Sequence, residues 1–502
     1  MRAARGRFDM GHTGWFAYRP MPSVIAGASI TEPTEATRPE LADVGRLARK
    51  AMRRVVATAR SDERATLSKV LREHLGADAQ DLAVVDESWR PYEHVNVQVG
   101  LDAWLDAPSR VHHAQGVMGF QHHQFGLAEL MDPTSGVHNP FGPRPGNLAR
   151  TNRACGPDGQ VMACVMCAVY LVTDGDRRTA LLLRAVDPES GMTSLQIAST
   201  EEGFAAQAAE EIRASTVAHN VFRGQVLSFG GEVFGPSGAL LNFHKRTTMD
   251  AGQLILPPET RKAIERQVVG VARHSEELLQ AGQHLKRGLL LYGPPGVGKT
   301  HTVRFLTGDL IETTVIQLSG TALHLISEAC SVARTLQPAM VVVEDVDLIA
   351  EERGMHPGQH PLLFQLLNEM DGLAEDADVV FVLTTNRADV LEPALAQRPG
   401  RVDQAVELTV PDDEARRALF HLYRGNLQID DSRLDDVISR MEGVTAAFIK
   451  ELVRRAAVHA AEGSEDSQPL VVSADQLDAA LDELLDTRNA MTRVLLGGTR
   501  ED

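Results

Sequence analysis

Gly293-Pro294-Pro295-Gly296-Val297-Gly298-Lys299-Thr300 is the stretch on which the reading of this 502-residue chain turns. It fits the pattern G-x-x-x-x-G-K-[ST]. Glycines let backbone N–H groups close around phosphate oxygens, and a helix N-terminus behind them favours negative charge. The lysine of such a loop reaches the outer phosphates, and the hydroxyl after it ligates Mg2+. Lys299 and Thr300 take those places, and His301 ends the expected contact run. The chain has 7 lysines against 43 arginines, so a lysine here is informative. An apolar strand is expected at 288–292 and a helix directly after the loop, which is the context the pattern needs.

Working outward, Met340-Val341-Val342-Val343 reads as an apolar strand that ends in Glu344-Asp345, with Asp347 beyond. Carboxylates at the C-terminal ends of parallel strands lie where ligands bind in open α/β sheets. Glu344 stands 45 residues after Lys299, a spacing that suits a carboxylate on a neighbouring strand. A third strand, 379–383, ends in Thr384-Thr385-Asn386-Arg387. Leu391-Glu392-Pro393-Ala394-Leu395 follows, and then Arg398-Pro399-Gly400-Arg401-Val402-Asp403.

With these segments in this order, the run from about 256 to 461 resembles an AAA-family (AAA+) ATPase module, over roughly 40% of the chain. The resemblance implies ATP and Mg2+ as cofactors. It implies nucleotide contacts from Gly293, Pro294, Pro295, Gly296, Val297, Gly298, Lys299, Thr300 and His301, with Thr300 and Glu344 toward the metal. Glu344 and Asp345 become the catalytic carboxylates. Asn386 becomes the polar group that orients the attacking water. Arg398 and Arg401 become arginine fingers that reach the nucleotide of the next subunit, where a guanidinium is worth about 10³–10⁵ in rate in related systems. Gly443-Val444-Thr445-Ala446 matches the place where a helical lid approaches the nucleotide.

Three departures from the family pattern stand out. The family ends its carboxylate strand Asp-Glu, whereas this chain has Glu344-Asp345. Both carboxylates survive with their lengths exchanged, which slows hydrolysis or shifts which residue does what. A similar order occurs in the mitochondrial AAA chaperones that assemble respiratory complex III. The segment that carries an aromatic pore loop in threading members is short here, with no Phe, Tyr or Trp in Thr321-Ala322-Leu323-His324-Leu325. His324 there reads as a surface residue. The chain ends Gly498-Thr499-Arg500-Glu501-Asp502, without a hydrophobic-Tyr-x tail, and no H-E-x-x-H follows the module. These features disfavour a proteasome cap and a membrane-type AAA protease.

Composition bounds the remainder. Hydrophobic residues are 43% and charged residues 24%, which excludes collagen-like, disulfide-scaffold and wholly disordered chains. The net charge is −18, against broad nucleic-acid binding, which needs a basic face. It divides into +5 over residues 1–80 and −23 over the remainder. Four cysteines suit a reducing, cytoplasmic setting. The longest uncharged apolar stretch, 161–173, is too short to span a bilayer, and no signal peptide is read at the start.

The expected fold class is α/β: a P-loop parallel-sheet ATPase module with a C-terminal helical lid, preceded by an α+β N-terminal domain. The expected segments are a disordered arm at 1–40, a basic helical segment at 41–85 and an α+β partner-recognition domain at 86–245. The large α/β subdomain follows at 246–411, the lid at 412–486 and a tail at 487–502. Within 86–245 the sequence predicts strands at 161–173, 179–186 and 195–199 and a helix at 201–221. A helix is predicted at 259–281, and Ser473 with Gln476 reads as a capping box. Cys164-x-x-Cys167, with Cys155 nearby, reads as buried thiols rather than a zinc site. The pairs His112-His113 and His122-His123 read as loop residues.

The expected function is ATP hydrolysis that remodels a protein partner, in a homo-oligomer with a hexamer favoured. The alternative is an ATP-dependent assembly switch or scaffold with slow hydrolysis. The protein substrate is unknown, and neither nucleic acid nor a transmembrane segment is expected.

Overall fold

The computed structural model describes residues 66–76, 78–120, 125–132, 142–187, 189–230, 240–347, 361–388, 402–462 and 470–486. The arm at 1–40, the segment at 41–65, the tail at 487–502, His122, His123, Arg398 and Arg401 lie outside them.

The first sheet is built by strict alternation. Its elements run α1 (Leu67–Leu75), β1 (Val84–Trp89), α2 (His94–Leu105), β2 (Arg110–Met118), α3 (Leu127–Met131), β3 (Arg144–Gly146), β4 (Arg150–Ala154), β5 (Val161–Val165), β6 (Cys167–Asp174), β7 (Arg177–Arg184), β8 (Thr193–Ser199) and α4 (Phe204–Ala218). Six strands pair in the order β1-β8-β7-β6-β2-β3, all antiparallel. Successive side chains of a strand point to opposite faces. On β7, Leu181 and Leu183 enter the core with α2 and α4, while Ala180 and Leu182 enter the core with α1 and α3. Burial on both faces explains why these strands read as continuous apolar runs. α2 and α4 touch at Gly100, where an added Cβ would sit 2.6 Å from backbone atoms of Thr216.

Three expectations change here, the first being that His112 and His113 lie on β2, paired with Val172 and Leu171, and not in a loop. The apolar run 161–173 is not one strand but two, because the chain leaves β5 at Val165 and enters β6 at Cys167. β5 pairs with β4 in a separate hairpin. Cys164 and Cys167 thereby lie in different cores, and burial pushes their thiols up to about 11 and about 12. The residues from α1 through β1 belong to this domain rather than to a separate segment ending at 85, since Leu67, Leu71 and Leu75 pack with Met131 and Leu182.

The second sheet carries the glycine-rich loop. Its elements are β9 (Val226–Gly230), β10 (Leu240–His244), α5 (Pro258–Glu265), α6 (Ser275–Gln280), β11 (Arg287–Tyr292), α7 (Lys299–Asp309), β12 (Thr314–Leu318), α8 (Ile326–Thr335), β13 (Ala339–Val343), α9 (Pro361–Asp371), β14 (Val379–Thr385) and β15 (Gln404–Glu407). The order is β10-β9-β12-β13-β14-β11-β15, parallel except for the β9–β10 pair. Alternation again fills both faces: Val341 and Val343 pack with α8 and α9, Met340 and Val342 with α5 and α7.

The boundary expected between 245 and 246 moves toward the N-terminus, because β9 and β10 belong to this sheet and not to the domain before it. β9 pairs with β12 through Val226↔Val315, Leu227↔Ile316 and Ser228↔Gln317. The domains also share a core, since Val95, Cys164 and Phe222 pack with Ile316 and Val341. Arg246 fastens the seam. Its guanidinium donates to the carbonyls of Thr307, of Leu310 at 2.9 Å, of Thr313 at 2.7 Å and of Gly224 at 3.0 Å. Two of these are end carbonyls of α7, which lack helical partners and favour a cation.

The helix expected at 259–281 continues through a π-helical turn and is interrupted only at His274, where φ is −114° and ψ 26°. α5 passes into a π-helical turn, Arg266–Gly270, then a short helix, Val271–Arg273, before α6. The lid, α10 (Asp413–Arg424), β16 (Gln428–Ile429), α11 (Leu434–Arg440), α12 (Ala446–Glu462), β17 (Val471–Val472) and α13 (Ala474–Leu485), has its own core around Phe420, Phe448 and Leu481. Ser473 and Gln476 form the capping box at the start of α13.

His94 shows how the β4–β5 hairpin is held. Its Nε2–H donates to the Val165 carbonyl at 2.8 Å, and its Nδ1 accepts from Arg153 Nε at 3.3 Å. Burial pulls its pKa down from 6.5 to about 4, and the Arg153 charge adds to the effect. The folded chain therefore refuses a proton that the unfolded chain accepts below its ordinary pKa. The stability contribution is full above pH 6.5 and falls as pH drops toward 4. Thermal midpoints measured across this window should fall, and His94→Gln should flatten that part of the slope. Parallel curves for the two proteins would refute the assignment.

Candidate active site

The loop between β11 and α7 is shaped by three glycines with positive φ: Gly293 at 144°, Gly296 at 84° and Gly298 at 107°. This region favours glycine. At Gly293 a side chain is also excluded by space, since a Cβ there would lie 2.2 Å from the Leu408 carbonyl oxygen. Leu408 is fixed in turn, its N–H donating to Tyr292 O at 2.8 Å. α7 begins at Lys299, so the first-turn N–H groups, which have no intrahelical partner, open toward the loop. Glycine freedom, unpaired donors and a helix N-terminus together fit a polyphosphate.

Lys299 is 8% exposed, and its Nζ donates to the carbonyls of Gly293 at 2.8 Å and Pro294 at 2.9 Å. Burial lowers its pKa, while the charges of Asp345 and Asp347 oppose that shift. Thr300 is exposed at the mouth. His301 turns elsewhere, its Nε2–H donating to the Gln253 carbonyl at 3.0 Å, which ties the first turn of α7 to the segment before α5.

The carboxylates sit one strand away from β14 and two from β11. Glu344 is half-buried at the end of β13, its N–H on the Leu318 carbonyl at 3.0 Å. Asp345 is exposed and adopts φ 51°, a left-handed conformation that Asp tolerates better than most residues. Its N–H donates to Thr384 Oγ1 at 3.1 Å, and its Oδ1 accepts from Asn386 Nδ2 at 3.3 Å. The structure thus brings Asp345 and Asn386 together beside the loop. The charges of Asp345 and Asp347 act on Lys299.

The sequence alone gives Asp347 no role. It is 8% exposed and accepts from Thr385 Oγ1 at 2.8 Å and from Asn386 N–H at 3.3 Å. It therefore sets where the end of β14 presents Asn386. The signal in the sequence was a third carboxylate two residues past the strand-end pair. A second contact the sequence did not specify joins lid to loop: Ala447 N–H, in the first turn of α12, donates to the Gly296 carbonyl at 3.1 Å. Thr445, just before α12, is fully buried, and Gly443 turns the chain at φ 77°. Beyond the arginine pair, Asp403 is anchored by reciprocal bonds with Gly288, Oδ2 accepting at 2.7 Å and N–H donating at 3.0 Å.

Residues 289–410 match the family described as ATPase family associated with various cellular activities (AAA). The chain carries an AAA domain.

Such a domain is an ATP hydrolase that works with ATP and Mg2+, and the loop just described belongs to it. Among similar proteins, the ATP-dependent zinc metalloprotease FtsH 2 of Sphaerobacter thermophilus is 34% identical over 225 residues, covering 42% of this chain and 34% of that protein. The 26S proteasome regulatory subunit 6B homolog of Dictyostelium discoideum is 32% identical over 216 residues, covering 40% of this chain and 52% of that protein. The ATP-dependent zinc metalloprotease FtsH of Mycobacterium leprae is 32% identical over 222 residues, covering 41% and 27%. The chain thus spans about half or less of the length of these relatives.

The AAA domain makes Asp347 testable as a positioning residue. Asp347→Ala should lower the ATP turnover number by about 10- to 100-fold, the scale of a misplaced catalytic group. Affinity for a fluorescent ATP analogue should stay within about threefold, because the hydrogen bonds of Asp347 go to Thr385 and Asn386 and not to the loop. Equal losses in affinity and turnover would show a structural role only.

Proposed function

We propose that this chain hydrolyses ATP to ADP and phosphate as a ring of identical copies, a hexamer being favoured, and uses the cycle to remodel a protein partner in the cytoplasm. The observation that supports this most is the meeting of Lys299, Asp345 and Asn386 at one end of a parallel sheet, under a lid that touches Gly296. Bound ATP·Mg2+ supplies the phosphoanhydride and the metal's charge. The loop N–H groups, Lys299 and Thr300 would hold the phosphates and metal, with Glu344 toward the metal shell. Asp345 takes the proton of the attacking water, directly or through a second water. Asn386, bonded to Asp345, orients that water. Arg398 and Arg401 would stabilise transferring charge on the nucleotide of the next copy, which requires head-to-tail contacts between copies. The domain built on the first sheet would choose the partner. No helix among the described residues is long and apolar enough to cross a membrane.

A second reading is a nucleotide-dependent assembly switch with slow turnover, akin to the complex III assembly chaperones that share the Glu-Asp order. A specific observation favours it. Gly320–Leu325 forms a 3-10 helix that runs straight into α8. Leu323 is 4% exposed within the core that Ala322 and Leu325 flank. Ala322, Leu323 and Leu325 of this segment pack inward while His324 is exposed, and the segment offers no aromatic grip.

Steady-state turnover and native mass with and without ATP separate the readings. Lys299→Ala should abolish turnover. Asp345→Asn should cut it by about 10² or more, the range for loss of a general base. Arg398→Ala should cost about 10³. A wild type that turns over no faster than Lys299→Ala, yet assembles with ATP, would establish the switch. Full activity in Arg398→Ala would remove the finger assignment.

A further inference from the structure

The helix before β11, with its π-helical turn, lines a groove that the nucleotide site does not use. It has a volume of about 520 Å³ and lies between the α5 to Arg273 segment and the C-terminal half of α7. Met249, Val269 and Phe305 form its floor. The π-helical turn supplies Arg266, Val269 and Gly270 to its lining. Such turns are rare and occur frequently at functional sites.

The charge of the walls is one-sided. Arg261, Lys262, Arg266 and Arg273 face Glu265 and Asp309, and with Glu259, which pairs with Lys262 from outside the lining, the local excess is one positive charge in a chain of net charge −18. Most of the cations are engaged. Arg261 pairs with Glu265 at 2.8 Å and lies over the Phe305 ring at 5.5 Å, Lys262 pairs with Glu259 at 3.0 Å, and Arg273 pairs with Asp309 at 3.1 Å. Arg266 is exposed, and among the described residues its side chain has no hydrogen bond or ion pair. From Arg261 to Arg273 the wall extends roughly 18 Å at a helical rise of about 1.5 Å per residue. That is an elongated trough, which suits an extended chain of about six residues at about 3.3 Å each better than a compact anion. Alternate side chains of an extended peptide point to opposite sides. Acidic residues alternating with apolar ones would place carboxylates on the arginine wall and apolar groups on the Phe305 floor.

We propose that this groove is a docking site for an extended acidic peptide segment of a partner protein, with Arg266 as the cation held open for it. The Arg273–Asp309 pair joins the groove to the end of α7, whose other end carries Lys299, so an occupant touches the helix that bears the phosphate loop.

The test uses the full chain and a fluorescein-labelled hexapeptide alternating glutamate and leucine, followed by fluorescence anisotropy at fixed ionic strength. Saturable binding is expected, with Arg266→Glu and Lys262→Glu each weakening it by about tenfold or more, the scale of a lost charge-assisted contact. Arg266→Lys should keep most of the affinity. Both positions are exposed, so thermal midpoints of the variants report whether the fold is intact. The proposal falls if the peptide with glutamine in place of glutamate binds equally, or if Arg266→Glu binds like wild type. It also falls if inorganic phosphate at low millimolar concentration displaces the peptide completely, which marks a small-anion site. The assay needs no nucleotide turnover, so its failure and that of the ATPase reading are distinguishable.

Discussion

The site depends on the register of three parallel strands. Tyr292 pairs with Thr385, and Val343 pairs with Leu383, so β11, β13 and β14 end at nearly the same level. The residues just beyond those ends are Gly293, Glu344-Asp345 and Asn386. A parallel sheet covered on both faces cannot slip by one residue without turning every apolar side chain to the wrong layer. The packing of Val341, Val343, Phe381 and Leu383 on one face and Met340, Val342, Val380 and Val382 on the other enforces the alignment that chemistry needs. The hydrogen bonds among Asp345, Asp347, Thr385 and Asn386 are local consequences of that alignment.

How much of this could be read in the sequence follows the range of the interactions. The phosphate loop, the apolar strands that precede Glu344 and Thr384, and the Ser473 cap are decided within a few residues, and each was legible. The allocation of β9 and β10 was not, because their identity depends on pairing Val226 with Val315, far along the chain. The break at Met166 was invisible because both sides of it are apolar. The π-helical turn at Arg266–Gly270 was hidden because a change from α to π winding leaves the helical spacing of apolar residues nearly intact. Asp347 illustrates the limit within the site. Its residue type was plain, yet its role rests on which strand end it meets, and only the register of β14 supplies that. Arg398 and Arg401 lie outside the described residues, so their assignment rests on sequence order alone.

Buried polar groups divide the labour between domains. In the first domain His94 and Gln98 accept or donate to the Val165 backbone and so hold a hairpin on a helix. At the seam, Asn96 accepts from Val221 N–H at 2.9 Å while Arg246 gathers carbonyls from three segments. In a core of low dielectric such hydrogen bonds specify one arrangement more sharply than apolar packing alone. The partner-recognition role proposed for the first domain thus rests on a unit joined to the AAA sheet by both kinds of contact.

The pairing of β9 with β12 also bears on solubility. Without β9, β12 would be the outer strand of the sheet, with Val315, Ile316 and Leu318 all fully buried in the intact chain. A long apolar edge is a template for joining another molecule's edge. A fragment begun at residue 246 would carry such an edge uncovered. In the intact chain the pairing with β9 covers that edge of β12.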